Sequence, residues 1–328
     1  MALPSLRRRI VCELTAAAAG QPLAAFLAGR FTYRDAAGWR VECEAGRLLL
    51  DGRPAGADDL LTAGGRLEYL PPPLEEPSVD VGVTLLWRGE DCAVLAKPAN
   101  LPCHPAGRFF NHTLWALLRC GLVPGLSAQE SIHFASRLDR ETSGLVLVGW
   151  TPAAARRLAA ALAAPGATKV YRVLVEGRCP ASFAARGWLY SQPGTLVRRR
   201  RLFTAGSPPD GAQRIESAGT VFRRLGEAGG VTELSATLET GRTHQIRATL
   251  ASLGLPVVGD KLYGPDEAMF LRFIDGALTE EDRCRLRLPR QALHAWRLTA
   301  DLEGTGQPRT LTAPCPWTLS ERGPELLT

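Results

Sequence analysis

The feature that most constrains this chain is a densely polar turn that runs directly into an apolar strand. The segment Gly144–Gly149 is an apolar, β-branched run of the kind that forms a fully buried strand. The residues just before it, Ser136–Thr142, are polar and hold Asp139 between Arg137 and Arg140. Polar groups beside a buried strand are costly unless they pair or take part in chemistry. A carboxylate between two guanidinium groups stays ionised and therefore nucleophilic, although a surface ion-pair turn has the same sequence.

A second polar stretch, Gly241–Arg247, combines a glycine turn with the sequence Arg-Thr-His-Gln-Ile-Arg. Together with Lys169–Tyr171 and Arg137–Gly144, it resembles the RluA-type family of pseudouridine synthases. That family's R-L-D-x-x-T-S-G, K-x-Y and G-R-T-H-Q-I-R motifs are all present, in the family's order. Several motifs in order are far more specific than one short pattern. One departure is Ser136, which stands where the family usually has histidine.

The resemblance implies an enzyme that isomerises specific uridines of structured RNA to pseudouridine, after flipping the target base out of its stack. It implies that Asp139 is the catalytic carboxylate and that Arg247 pairs with it, keeping it ionised and aimed. It implies that Tyr171 stacks on the target base, although a tyrosine on such a strand is usually a core residue. Arg137 could fill the space that the base vacates, but a phosphate contact or an ion pair is the simpler account. The reaction needs no metal, redox partner or other cofactor.

Two other functions remain open at the level of sequence. A protein that binds RNA but has lost catalysis would keep the same fold; Ser136 favours this alternative, and the intact Asp139, Tyr171 and Arg247 argue against it. A carboxylate hydrolase or metal enzyme would need a second catalytic carboxylate or clustered ligands. The histidines do not have the spacing of metal ligands; they are His104, His112, His133, His244 and His294.

The charge of the chain is compatible with an RNA partner. The net charge is +6 and the isoelectric point is about 9.0, a modest excess that permits nucleic-acid binding without requiring it. Four positive charges are adjacent in an irregular segment, at Arg198, Arg199, Arg200 and Arg201. We expect protein partners to be too few for all four, so the run should contact phosphates.

The cysteines and the apolar segments indicate where the protein works. Eight cysteines are scattered with no Cys-x-x-Cys pair, which argues against a zinc site and against a disulfide framework. There is no apolar run long enough to cross a bilayer and no recognisable secretion signal. We therefore expect a soluble, cytoplasmic protein, and we expect it to be a monomer.

The proline-rich segment Pro71–Pro77 marks a domain boundary. Residues 1–78 read as a small module that loosely matches the alpha-L-type RNA-binding module found before many synthases of the resembled family. A small β-rich domain that merely packs on its neighbour is an equally good account. Residues 79–328 form the predicted catalytic domain. Among RNA substrates, an alpha-L-type module slightly favours ribosomal RNA over transfer RNA.

The predicted fold class is α+β, with a mixed, mostly antiparallel sheet flanked by helices; the resemblance implies the pseudouridine synthase fold. Residues 38–43 read as a strand or a helix edge. Residues 186–224 read as the least regular part of the chain, and residues 266–290 as a charged, mainly helical insertion.

Overall fold

The structure is a computed structural model that describes residues 3–320 and 323–327. The chain divides into two compact units. One is Ser5–Pro77, and the other comprises residues 3–4 and the described chain from Ser78 onward. Each unit has a hydrophobic core of its own, so the two are described separately.

The N-terminal unit packs two helices on a small antiparallel sheet. Its elements are β1 (Ile10–Glu13), a 3-10 turn (Ala16–Ala18), α1 (Leu23–Arg30), α2 (Ala36–Glu44), β2 (Leu48–Leu50), β3 (Arg53–Pro54) and β4 (Arg66–Tyr69). The strand order is β1-β4-β2-β3. Residues 38–43 are helical, since the carboxylate of Asp35 caps α2 by accepting the N–H of Gly38 at 2.8 Å.

In the described part of the larger unit, eleven strands form one sheet. The first five of these strands in chain order are β5 (Thr84–Arg88), β6 (Cys92–Lys97), β7 (His133–Phe134), β8 (Ser143–Gly149) and β9 (Thr168–Glu176). The others are β10 (Ser182–Ser191), β11 (Leu202–Thr204), β12 (Gln213–Ala228), β13 (Val231–Leu238), β14 (Leu293–Ala300) and β15 (Arg309–Thr312). A separate ribbon pairs β16 (Trp317–Ser320) with β17 (Gly323–Leu326).

The sheet runs in the order β11-β10-β12-β13-β9-β14-β8-β6-β5, with β15 beside β14 and β7 beside β8. Within the described residues, β8 and β14 are parallel, and the other paired strands are antiparallel. The predicted α+β class with a mixed, mostly antiparallel sheet is therefore confirmed.

Five helices flank this sheet in the described residues of the larger unit. They are α3 (Leu114–Arg119), α4 (Pro152–Ala163), α5 (Gln245–Ser252), α6 (Ala268–Ile274) and α7 (Glu280–Leu286). Two of them explain why β8 is apolar throughout. Val146 and Val148 pack in one cluster with Leu117 of α3, while Leu145 and Leu147 pack on the other face in a cluster with Leu158 of α4.

The expectation that residues 186–224 are the least regular part of the chain is wrong at both ends of that segment. Residues 186–191 lie in β10 and residues 213–224 lie in β12, and these two strands pair antiparallel. Their sequence pattern is weak because both strands are only partly buried and β12 carries five charged side chains. Backbone hydrogen bonds to neighbouring strands, rather than a continuous apolar run, hold them in the sheet.

Gly144 allows the parallel pairing of β8 and β14 that sets the position of the polar turn. It lies opposite Ala295 with φ of 110°, a conformation that favours glycine. A Cβ at this position would lie 2.2 Å from the carbonyl oxygen of Ala295. The two strands could not approach this closely with any other residue. None of the described helices could span a membrane.

Candidate active site

Asp139 lies in the turn between β7 and β8, where the buried strand reaches the surface. The backbone of the turn is held in place: the N–H of Thr142 donates to the carbonyl of Asp139, and the N–H of Leu101 to that of Arg140, both at 3.1 Å. The neighbouring Leu138 packs against the core. The Asp139 side chain is 32% exposed, so a rigid turn presents a carboxylate that a ligand can reach.

The structure brings Arg247 to Asp139 across 108 residues of sequence. Arg247 lies in the first turn of α5, as the sequence predicts. Its Nη1 donates to Oδ2 of Asp139 at 2.8 Å. On its other side, Nε and Nη2 donate to the two carboxylate oxygens of Asp260 at 2.7 and 2.8 Å. One guanidinium thus bridges two carboxylates, with the bidentate contact on Asp260.

Asp260 fixes the plane of this guanidinium from inside the protein. Its side chain is fully buried, and its Oδ1 also accepts the backbone N–H groups of Leu262 and Tyr263 at 2.9 and 3.0 Å. A buried carboxylate with this number of donors is satisfied and rigid. Asp260 therefore sets the direction from which Arg247 reaches Asp139.

The charges of the cluster keep Asp139 ionised. Desolvation raises the pKa of Asp139, but the Arg247 and His244 side chains and the hydrogen bond from Arg247 outweigh it, so this pKa lies below its ordinary value. The same balance, with Arg247 as the main opposing group, lowers the pKa of Asp260. Burial works against the charge of Arg247, yet both carboxylates raise the pKa of its guanidinium. The three groups carry a net charge of −1 at neutral pH.

His244 and Tyr263 also belong to the cluster around Asp139. Nε2 of His244 lies 3.6 Å from Oδ1 of Asp139, and Nδ1 lies 2.9 Å from the Tyr263 hydroxyl. That hydroxyl also accepts the backbone N–H of Arg201 at 2.9 Å. The Tyr263 ring lies 5.0 Å from the guanidinium of Arg247, within the range of a cation–π contact.

Tyr171 lies on β9, opposite Ala236 of β13 and Ala295 of β14. It is half-buried and packs at the edge of two core clusters. Burial and the negative charge of Asp139 raise the pKa of its hydroxyl to about 12, so the side chain is neutral. The tyrosine therefore shares the electrostatic environment of Asp139 and is not enclosed in the core.

The buried side chain of Lys97 binds the backbone of the turn that carries Asp139. The Lys97 ammonium is almost fully buried and donates to three carbonyls, those of Pro98 at 2.8 Å, Leu101 at 2.9 Å and Arg140 at 3.3 Å. Burial lowers its pKa to about 8. These contacts tie the proline-rich loop after β6 to the backbone beside Asp139.

The four consecutive arginines do not behave alike. Arg198 and Arg199 are exposed. Arg200 pairs with Glu267. Arg201 is 6% exposed and donates to Glu216 and to two backbone carbonyls. The expectation that all four arginines contact phosphates is wrong at Arg201, because a buried guanidinium with three acceptors is not available to a phosphate.

The remaining candidate residue, Arg137, is exposed on the same turn as Asp139. A cavity of about 40 Å³ is lined by residues that include Ser136, Lys169 and Tyr171. A cavity of about 380 Å³, lined in part by Glu176, Arg285 and Arg287, does not include Asp139. Among the described residues, there is no cluster of three or more His, Cys, Asp or Glu side chains suited to a metal ion.

Comparison with known proteins identifies the family. Residues 91–252 match the RNA pseudouridylate synthase family. Over 308 residues the chain is 32% identical to an uncharacterized RNA pseudouridine synthase of Synechocystis, covering 92% of this chain and 94% of that protein. The chain belongs to the RNA pseudouridylate synthase family. It is an RNA pseudouridine synthase, so the resemblance seen in the motifs is confirmed.

Other relatives of this synthase differ in the RNA that their names specify. The chain is 32% identical over 317 residues to the ribosomal large subunit pseudouridine synthase D of Xanthomonas campestris, covering 95% of this chain and 90% of that one. It is 27% identical over 239 residues to the mitochondrial tRNA pseudouridine(32) synthase of Saccharomyces cerevisiae, covering 72% and 49%. Human RNA pseudouridylate synthase domain containing 1 has the same fold, with a TM-score of 0.56 and 23% identity over 77% of this chain and 93% of that one.

The departure from the family pattern at Ser136 has a structural role in this synthase. The Ser136 hydroxyl accepts the backbone N–H of Leu147 in β8 at 3.1 Å. It therefore helps to hold the start of the turn against the strand.

Sequence reasoning missed Asp260 and Tyr263 and assigned no role to His244. The signal was present, since Gly259–Gly264 combines polar residues with two glycines in the manner of the other polar stretches. What the sequence lacked was the distance information: Asp260 lies outside the motif that contains Arg247, and only the fold brings its carboxylate against that guanidinium.

Proposed function

We propose that Asp139 is the catalytic carboxylate of this synthase and that its RNA substrate is ribosomal. The observation that supports the catalytic role of Asp139 is that its two carboxylate oxygens have different contacts. Oδ2 is held by Arg247 at 2.8 Å, while Nε2 of His244 lies 3.6 Å from Oδ1, beyond hydrogen-bond distance. An ionised oxygen that is oriented but not neutralised suits a nucleophile or base.

Isomerisation of uridine to pseudouridine breaks the bond between N1 of uracil and C1′ of the ribose and joins C1′ to C5 instead. The proton on C5 is lost and N1 gains one, so atoms and electrons balance without an oxidant or reductant. Attack on C1′, attack on the ring and removal of the 2′ proton all require an ionised carboxylate. The low pKa of Asp139 supports each of these roles at neutral pH.

Tyr171 is the proposed stacking partner of the flipped uracil. Its half-buried ring on a rigid strand, beside the charge of Asp139, supports this role, since an aromatic face stabilises an unstacked base. Arg137 is the proposed occupant of the space left in the RNA. Its exposed side chain lies on the same turn as Asp139, which supports this role.

The proposed RNA contacts outside the site are phosphate contacts by Arg198 and Arg199, which are exposed. We also propose that Ser5–Pro77 is an alpha-L-like RNA-binding module. Its own core, with a capped helix beside a short sheet, is consistent with an independent module. No metal or cofactor enters the proposed chemistry, and a monomer in the cytoplasm is the proposed working form.

Ribosomal RNA is the preferred substrate since the large-subunit synthase of Xanthomonas campestris matches 95% of this chain, including the N-terminal unit. Transfer RNA is the second candidate, supported by the yeast relative, of which this chain covers 49%. Mapping pseudouridine across total RNA, with and without the gene, distinguishes the two. A site that disappears only from transfer RNA would overturn the ribosomal assignment.

The catalytic assignment is tested with Asp139→Asn, which keeps the size of the side chain and removes its charge. Tritium release from RNA labelled at C5 of uridine should fall to background, while the affinity for RNA stays within a few-fold because phosphate contacts supply most of it. Asp266→Asn is the matched control: Asp266 is also 32% exposed and accepts an arginine contact at 2.7 Å. Turnover by folded Asp139→Asn near the control rate would refute the assignment. Loss of turnover would also exclude an RNA-binding protein without catalysis.

A further inference from the structure

His244 has a left-handed backbone conformation, which is uncommon for residues other than glycine. It has φ of 58° and ψ of 17°, in the left-handed region, at the position just before α5. Glycine adopts this conformation without the strain that a side chain brings, and asparagine and histidine tolerate it better than most other residues. The ring is 13% exposed and points into the cluster around Asp139. A strained residue whose side chain is aimed at a functional group suggests a role for that side chain.

The hydrogen bonds of Tyr263 select one tautomer of the His244 ring. The backbone N–H of Arg201 can only donate, so the Tyr263 hydroxyl accepts there, at 2.9 Å. The proton of the hydroxyl is then directed to Nδ1 of His244, also at 2.9 Å. With Nδ1 accepting, the neutral ring carries its hydrogen on Nε2, the atom that faces Oδ1 of Asp139.

The charges that face His244 come from four elements. Asp139 faces it from the turn before β8, Asp260 and Tyr263 from the loop after α5, Arg247 from α5, and Arg201 from the start of β11. Burial lowers the pKa of His244 most, and the two arginines lower it further, against the two carboxylates. The net result is below the ordinary value for histidine, so the ring is neutral at pH 7.

We propose that His244 is a positioning residue that presents a neutral Nε2–H to Oδ1 of Asp139 and so fixes the oxygen that faces the uridine. Tyr263 holds the ring in this tautomer and links it to the backbone at Arg201, next to the exposed Arg198 and Arg199. At 3.6 Å the contact is longer than a hydrogen bond, so the Nε2–H acts on Oδ1 as a weak dipole that favours one orientation of the carboxylate and leaves its charge available to the reaction. The proposal rests on the assignment of Asp139 as the catalytic carboxylate.

A cationic His244 would have the opposite effect. Protonation would turn the weak contact into an ion pair with Oδ1, and Asp139 would then be neutralised on both oxygens, by His244 and by Arg247. Turnover should therefore decline as the pH falls through the pKa of His244. Asp139 itself remains ionised in that range because its own pKa is depressed. A variant without the imidazole should lack this acidic decline.

The experiment measures single-turnover rate constants for His244→Asn between about pH 5 and pH 8.5. Asparagine tolerates the left-handed backbone, so the variant should fold. Its side chain is too short to reach Asp139, and we expect the rate to fall roughly 10- to 100-fold, as for a misplaced catalytic group. RNA affinity should be unchanged and the acidic decline absent. His133→Asn, at a half-buried histidine on β7, is the control and should match the parent.

Two further variants separate positioning from a merely structural role. His244→Gln places an amide near the position of Nε2, so it should recover part of the rate and still lack the acidic decline. Tyr263→Phe keeps the ring and removes the hydroxyl; it should lower the rate while keeping a decline that is shifted in pH.

A parental rate for His244→Asn, or the same acidic decline in that variant, would overturn the proposal. Asp139→Asn distinguishes this from failure of the catalytic assignment. If Asp139→Asn is inactive and His244→Asn has the parental rate and pH profile, only the role of His244 is wrong. If Asp139→Asn is active, the catalytic assignment is wrong too.

Discussion

Replacing Arg247 by methionine should lower the free energy of unfolding of this synthase, by an amount that follows from the contacts of the guanidinium. The change removes three charge-assisted hydrogen bonds, one to Asp139 and two to Asp260. Asp260 has no exposed surface and would keep two backbone donors but no counter-charge. Removing one partner of a buried ion pair typically costs about 3–5 kcal/mol.

For a unit of this size, the melting temperature falls by about 2–4 °C per kcal/mol of destabilisation, so the total decrease should be roughly 6 to 20 °C. Calorimetry or urea unfolding at pH 7 measures this. The matched control is Arg186→Met, which removes another arginine that contacts both oxygens of a carboxylate, that of Glu239, with Nε donating to Oε2 at 2.8 Å. Arg186 is 64% exposed, and an exposed pair contributes much less to stability.

The pH dependence of the deficit gives a second test, whose sign follows from linkage. In the parent the pKa values of Asp139 and Asp260 are depressed. The stability that they contribute is therefore present above the unfolded-state pKa and is lost as the pH falls through the folded-state values. Without Arg247, desolvation raises the pKa of Asp260 instead. Protonation of Asp260 at low pH then removes the unpaired buried charge from the variant. The loss of unfolding free energy relative to the parent should therefore be larger at pH 7 than near pH 4.5.

A double variant that also carries Asp260→Asn removes the buried charge together with its partner. It should recover part of the stability that Arg247→Met loses. The reasoning is refuted if Arg247→Met is no less stable than Arg186→Met. It is also refuted if the deficit does not change with pH, because the cost would then not arise from a stranded carboxylate.

The remaining predictions concern RNA binding outside the site. Changing Arg198 and Arg199 together to alanine should weaken RNA binding and make the slope of log K against log salt shallower by about 0.7–0.9 for each phosphate that is no longer neutralised; an unchanged slope would mean that neither arginine binds RNA. A chain that begins at Ser78 should fold, because its core is separate from that of Ser5–Pro77, and should bind substrate RNA less tightly; full efficiency would remove RNA binding from the roles of the N-terminal unit.

Much of the local structure follows from short-range patterns that the sequence displays directly. The strand Ser143–Gly149 carries apolar residues on both of its faces, and this pattern predicts a strand that is buried on both faces, as the structure has it. The helix Pro152–Ala163 has a threonine cap and a proline in its first turn, which locate its start. The motifs also sufficed to identify the family and to name Asp139, Tyr171 and Arg247 as candidate site residues.

The tertiary structure alone decided how those residues act together. Arg247 meets Asp139 only when α5 packs against the sheet, and Asp260 then fixes the guanidinium from a position that no motif marks. The strands β10 and β12 form because their neighbours offer hydrogen bonds, since their own side chains are half exposed and weakly patterned. Arg201 carries the same charge in sequence as Arg198, yet one is buried and the other exposed. Partners and burial are properties of the folded chain, and a sequence pattern does not contain the distances that determine them.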